Sequence, residues 1–266
     1  MSKLNKYKDK CILVGRDKNF FEEYHDLTSL SIYNKHKFDI CISGAFDDES
    51  FMSRLISQKK DANKQAKTIK LENKIKVEEI PLMFKERRST RYFMDTPIPI
   101  DKFATLMYYS YGNNLNGSLT VPSAGGIYPI SLLIIVNNVS QIDNGIYEYC
   151  PWTCSINKIS IESFNVNYDK VTSSESLTAN CAFSIHFIGN PENTCYKYQD
   201  RGYRFLNIEC GHIAQNFSLM SIFLSIGSVC SGGFLDGEFL GYLNKNTSRR
   251  FENSMYLYEM YFGIEA

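Results

Sequence analysis

The stretch that most constrains this chain begins at Leu206. Leu206, Cys210, Ile213, Phe217, Met220 and Leu224 recur at the three-or-four-residue spacing of a helix face. From residue 217 to residue 226 almost every face of that helix is apolar. Such a helix has to be covered on several sides, so it belongs at the centre of a fold. Gln215 and Asn216 interrupt it. Buried amides there would need partners, because an unpaired one costs about 1–3 kcal/mol. The helix is expected to end at Gly227, ahead of a second small-residue cluster, Ser231, Gly232 and Gly233. Before it, residues 196–204 read as a polar loop in which Lys197 directly precedes Tyr198. One rigid rod thus carries a proton-transfer candidate near one end and a bare-backbone loop near the other. The plainer alternative is a surface Lys–Tyr pair ahead of a core helix.

A chain of 266 residues fits one large domain, or one domain with a substantial extension. The formal net charge is zero, which gives no electrostatic footprint for nucleic acid or an anionic membrane. No apolar run reaches the ~18 residues of a membrane span. Cys11, Ile12, Leu13 and Val14 are too short a run for a secretory signal and are flanked by charge. The eight cysteines are scattered, and only Cys150 and Cys154 lie close. A lone pair of that kind is weak evidence for metal, so no metal site is expected and the cysteines read as thiols in a reducing cytoplasm.

Residues 58–70 are polar and lysine-rich, the composition of a linker or a solvated helix face. They separate an N-terminal extension, residues 1–78, from a main domain, residues 79–266. Within the extension, residues 20–25 look helical and Leu27 and Leu30 extend the same face. Asp47, Asp48 and Glu49 are expected to open another helix, with Phe51, Leu55 and Ile56 inward. His25 and His36 have no helical relationship and read as structural.

In the main domain, Phe84, Lys85 and Glu86 read as the end of a helix. Arg87, Arg88, Ser89, Thr90 and Arg91 follow. Three guanidinium groups and two hydroxyls in one turn suit a phosphate, although a solvated basic turn has the same composition. Asp101 is expected to cap a helix carrying Phe103, Leu106, Met107 and Tyr111 and ending at Gly112. A small-residue loop spans Pro122 to Pro129, where glycines allow close backbone approach. Apolar or β-branched runs at 130–136, 145–149, 181–188 and 255–262 predict strands, with 156–161 pairing beside the second of them. His186 falls inside a strand and reads as a sheet residue. This order predicts an α+β fold, a sheet packed by helices. No dinucleotide-binding fingerprint, Walker loop or serine-hydrolase elbow is present.

Residues 87–91 resemble the phosphate-binding opening of the nitroreductase-like flavoprotein superfamily. The run Pro122, Ser123, Ala124, Gly125, Gly126, Ile127, Tyr128, Pro129 is similar to the P-S-x-G-x-x-Y-P loop of SagB-type azoline dehydrogenases, the streptolysin-like and microcin-like peptide-modifying enzymes. Residues 145–149 look like their G-x-Y-x-Y strand. Gly202, Tyr203, Arg204, Glu209, Gly211, Gln215 and Asn216 match the start of their central helix. Lys197 and Tyr198 fall where the microcin-type members carry a catalytic Lys–Tyr pair.

The resemblance implies a nitroreductase-like fold and an FMN enzyme. Arg87, Arg88, Ser89 and Arg91 would bind the FMN phosphate and ribityl chain. Pro122, Ser123, Ala124 and Gly125 would lie near the flavin, reaching it from the other subunit of a homodimer. Gln215 and Asn216, with the backbone of Ser231, Gly232 and Gly233, would complete the cofactor site. Arg249 or Arg250 is a further candidate for the phosphate. Such enzymes oxidise peptide thiazolines or oxazolines to thiazoles or oxazoles, beside a cyclodehydratase partner that makes the ring, during maturation of a bacteriocin-like peptide. In that chemistry Lys197 and Tyr198 share the proton transfer, with either one as the base. Two alternatives keep the same fold. One is an NAD(P)H-dependent nitroreductase or quinone reductase; the other is a flavin-binding scaffold subunit of a peptide-modifying complex.

Overall fold

Ile130 to Val136 forms a strand that is apolar on both of its faces, because both faces are covered. The computed structural model describes residues 20–50, 53, 80–114, 116–161, 169–172, 175–198 and 200–266. In it, β2 (Ile130–Val136) pairs antiparallel with β3 (Gly145–Cys150) on one side and β5 (Phe183–Gly189) on the other. β4 (Ser155–Lys158) closes the far edge on β3. β5 pairs with the long β7 (Met255–Glu265), which also carries β6 (Gly227–Ser231) and β1 (Phe93–Met94). The result is a seven-stranded sheet.

Alternation along β2 divides its side chains between two cores. Leu132, Ile134 and Val136 join the core built with α4 (Ile100–Tyr111) and α7 (Arg201–Phe223). Leu133 and Ile135 join the opposite core, with Phe239 and Leu243 of α8 (Asp236–Asn246). His186 lies on that second side, fully buried. Ser184 and the Tyr256 hydroxyl contact its ring nitrogens at 2.8 and 2.6 Å, and burial pushes its pKa down to about 3.

The α+β expectation holds, and the strands at 130–136, 145–149, 181–188 and 255–262 are all present. Several boundaries differ. The central helix starts at Arg201, earlier than Leu206, and stops at Phe223. Residues 227–231 form β6, because β7 and the Thr90 N–H (to the Ser228 carbonyl, 2.9 Å) supply its partners. Residues 196–198 are not loop but the end of α6 (Pro191–Tyr198). Asp101 lies inside the first turn of α4 rather than at its cap, which is Pro99. Gln215 is exposed, and only Asn216 is partly buried, donating to the Ser110 carbonyl at 3.1 Å.

Of the N-terminal extension, α1 (Phe20–Thr28) and α2 (Lys35–Asp47) are described, with α3 (Ile80–Glu86) opening the main domain. Asp47 therefore ends a helix instead of opening one; Glu49 and Ser50 are helical. Leu30 lies beyond α1, and its N–H donates to the Asp236 carboxylate at 2.9 Å. Phe21 packs with Cys195 and Met255, which holds α1 on the main domain. The linker at 58–70, the boundary at 78 and Phe51, Leu55 and Ile56 lie outside the described residues. Among the described residues no disulfide and no metal-ligating cluster forms, and no helix is long and apolar enough to cross a membrane.

Candidate functional site

α6 begins with Pro191, whose fixed φ suits a first helical position, and Glu192 adds an acidic group to the first turn. It packs tightly on α7 at Gly202, where a Cβ would stand 3.0 Å from the Cys195 backbone. Lys197 and Tyr198 occupy its last turn. Neighbours in a helix project about 100° apart, at 3.6 residues per turn, so the two side chains can serve one site. They do so at Gly125. A Cβ on that glycine would lie 2.5 Å from Lys197 Nζ and 2.7 Å from Tyr198 Oη. The two polar ends converge on one point above the turn Ala124–Gly126. Lys197 Nζ stands 5.2 Å from the Tyr198 ring centre, and Phe205 braces that ring edge-to-face at 5.0 Å. Gly125 has φ 66°, a conformation glycine adopts without strain. The sequence suggested a glycine loop open to a ligand; in the fold Gly125 also leaves room for the Lys–Tyr pair.

Under the turn lies Glu209, 2 % exposed, with no hydrogen-bond partner on Oε1. Burial raises its pKa to about 7, with Ser123 acting in the opposite direction. The Ser123 oxygen accepts the Tyr128 N–H at 2.8 Å. Glu209 was absent from the residues assigned roles from sequence. The available signal was a carboxylate within the apolar stripe, three residues after Leu206 and four before Ile213.

A second group forms around the arginine turn. Thr90 is buried and ties the turn to β6, while Arg87, Ser89 and Arg91 are exposed. Arg87 lies close enough to favour ionisation of the Cys230 thiol, which burial otherwise opposes. Among the described residues neither Arg87 nor Arg91 pairs with a carboxylate; the Arg91 guanidinium reaches only the Ser89 carbonyl, at 3.5 Å. Two uncommitted guanidinium groups and an exposed hydroxyl fit a phosphate. Arg88 fits it less well, since its guanidinium is engaged by Glu265 through both Nε and Nη2. Gly232 is open, with nothing within 4 Å of a built Cβ, and the Gly233 N–H donates to Ser231 Oγ at 3.0 Å. Arg249 pairs with Glu148 on β3, and Arg250 donates to the Asn244 carbonyl at 2.6 Å.

Tyr258 lies close enough to the Cys230 thiol for the two to influence each other's ionisation, and Cys210, next to Glu209, acts on it electrostatically. Pro122 and Ala124 flank Ser123 in the same turn, whereas Gln215 faces solvent.

A sequence profile of the nitroreductase family matches residues 84–253. A protein of Methanocaldococcus jannaschii named among the nitroreductases is 32% identical over 165 residues, which is 62% of this chain and 82% of that one. The fold resembles the solved structure of an Anabaena variabilis protein described in the same terms, with TM-score 0.62 and 24% identity. That similarity covers 71% of this chain and 38% of the other, so this chain spans well under half of that protein's length. It also resembles a chain of the Escherichia coli microcin synthetase complex, solved with truncated pro-MccB17 bound. There the TM-score is 0.60, the identity 19%, and the coverage 77% of this chain and 81% of that one.

Proposed function

The chain belongs to the nitroreductase family, and from that premise we propose that it is an FMN-dependent azoline dehydrogenase acting on a peptide. The convergence of Lys197 Nζ and Tyr198 Oη on Gly125 is the observation that carries this reading. Oxidising an azoline requires a base at a substrate Cα–H, a need that nicotinamide-driven reduction of a nitro group does not impose, and a Lys–Tyr pair converging on a glycine turn supplies one. The likeness in fold to a chain of a peptide-bound microcin synthetase supports the same choice.

In this reading Arg87, Ser89 and Arg91 hold the FMN phosphate and the backbone of residues 231–233 approaches the ring system. When bound, FMN supplies the acceptor for the hydride that leaves Cβ of the azoline, and dioxygen takes the electrons afterwards. A Tyr198 phenolate takes the proton from Cα and becomes the phenol, so the Cα–H and Cβ–H bonds break as the ring double bond forms. The Lys197 ammonium balances the charge on the phenolate before the transfer and the charge that develops on the azoline ring. A positioned base of this kind contributes typically 10²–10⁴-fold in rate. The precursor peptide comes from a cyclodehydratase partner.

The protein acts as a homodimer. Ile208 and Phe223 of α7 are 54 % and 62 % exposed, an apolar edge that suits a second copy. FMN-loaded protein incubated in air with a thiazoline peptide should remove one hydrogen molecule per ring, read by mass spectrometry. Nicotinamide-dependent reduction of a nitroaromatic, with azoline peptides left unchanged, would replace this reading with a nitroreductase.

A further inference from the structure

Glu259 has no part in the chemistry described so far, yet it is a carboxyl buried in the middle of the sheet. Glu259 of β7 is fully buried, as are Ser184 and His186 of β5, and Thr172 is 2 % exposed. Taking such a group out of water is costly unless hydrogen bonds replace the water. Here they do. The Tyr256 hydroxyl donates to Glu259 Oε2 at 2.7 Å, and the Thr172 hydroxyl donates to Oε1 at 3.2 Å. With the Tyr256 proton committed, neutral His186 turns its Nδ1–H to the Tyr256 oxygen at 2.6 Å. Its Nε2 then accepts from the Ser184 hydroxyl at 2.8 Å. Every donor along this line points toward Glu259.

One branch of the network leaves the sheet. The Tyr261 hydroxyl donates to Thr172 Oγ1 at 3.3 Å, and Thr172 has its own single proton to give. That proton lies before Glu259 Oε1 and before the Gly233 carbonyl, the latter at 3.4 Å. Thr172 also forms an antiparallel bridge with Phe234, and the Leu235 N–H donates to the Val171 carbonyl at 3.2 Å. On the other flank Ser231 pairs with Glu259 itself in the β6–β7 register. The backbone is therefore held on both sides of Gly232 by residues that meet at Glu259. Gly233 has both of its backbone groups engaged, its N–H with Ser231 Oγ at 3.0 Å and its carbonyl with Thr172. Gly232 is exposed, with nothing within 4 Å of a built Cβ, so its backbone is the part offered outward.

We propose that Thr172 is a positioning residue of the flavin site: its hydroxyl ties the Gly233 peptide to the buried Glu259 network and so sets how the Gly232 backbone meets the ring system. The inference rests on reading residues 231–233 as the backbone that approaches FMN.

Thr172→Val keeps the shape of the side chain and deletes its hydroxyl, whereas Thr172→Ser keeps the hydroxyl. In the full-length protein without FMN, hydrogen–deuterium exchange over residues 231–235 is read by mass spectrometry. It should be roughly 2- to 10-fold faster in Thr172→Val, the factor that one neutral hydrogen bond supplies. Thr172→Ser should exchange as the wild type does. In FMN-loaded protein, Thr172→Val should shift the flavin's visible absorption bands and weaken FMN binding by a similar factor, and Thr172→Ser should restore both. Ser184→Ala removes the far end of the same network. It should lower Tm while leaving the flavin bands and the exchange over 231–235 in place.

Unchanged exchange in Thr172→Val would overturn the proposal, as would flavin bands that do not move. So would a Thr172→Ser protein that behaves like Thr172→Val, or an equal flavin shift in Ser184→Ala. Thr172→Ala carries the test should Thr172→Val fail to fold. Neither arm uses an azoline peptide, so a failure of the dehydrogenase reading is told apart from a failure of the anchor.

Discussion

Adding one methyl group at Gly125 should separate catalysis from stability. In Gly125→Ala the new Cβ would stand 2.5 Å from Lys197 Nζ and 2.7 Å from Tyr198 Oη. Ordinary carbon contacts begin near 3.5 Å, so both ends must retreat by about 1 Å. They are the far ends of flexible side chains and can move cheaply. The remaining cost is an alanine at φ 66°, about 1–2 kcal/mol. For a chain of this size each kcal/mol lowers Tm by roughly 2–4 °C. A reacting pair moved by about 1 Å can lose 10²-fold in rate. Gly126 supplies the control, with φ 67° and nothing within 4 Å of a built Cβ. Gly125→Ala and Gly126→Ala should therefore melt alike and bind FMN alike, while only Gly125→Ala loses azoline oxidation. Differential scanning fluorimetry beside a kcat measurement reads both. Equal activity in the two variants would refute the claim that Lys197 and Tyr198 act at the point above Gly125.

Arg87→Ala and Arg91→Ala should each weaken FMN retention, by roughly 1.5–3 kcal/mol per lost charge-assisted contact, whereas Arg88→Ala, whose partner is Glu265, should weaken it least; flavin release on dialysis ranks them. The folded-state pKa of Glu209, about 7, lies above the unfolded value of about 4.3, so stability from its bound proton is complete below pH ~4 and is lost as pH rises through 7. Glu209→Gln should accordingly gain about 3 kcal/mol on the wild type between pH ~4 and pH ~8 in urea denaturation; a difference that does not change with pH would contradict the shift. Gly202→Ala forces a Cβ to within 3.0 Å of the Cys195 backbone and should loosen α6 on α7, giving a lower Tm together with lower turnover.

The strands and the central helix could be read from sequence because their signal is local: β-branched runs bounded by turn residues, and an apolar period of three to four. β6 could not. Gly227, Ser228, Val229, Cys230 and Ser231 are small and mostly weakly apolar, and they form a strand because β7 and Thr90 offer their backbones partners. α8 was hidden by Gly237 and Gly241, which dilute its period. α6 carried a start signal in Asn190, Pro191 and Glu192, but the polar run at 196–201 outweighed it. The arginine turn was visible as a composition, while the commitment of Arg88 to Glu265, 177 residues away, needed the fold. The same holds for Gly125: its glycine was legible, and the two side chains that require it were not.

The most direct measurement of the central claim is a single turnover without oxygen. FMN-loaded protein is mixed anaerobically with an azoline peptide, and the flavin's visible absorption is followed. The wild type should bleach as the ring is oxidised. Tyr198→Phe and Lys197→Ala should hold their flavin and bleach normally with a chemical reductant, yet bleach at least 10²-fold more slowly with the peptide. A wild-type flavin that no azoline peptide reduces, or variants that bleach at the wild-type rate, would contradict the account.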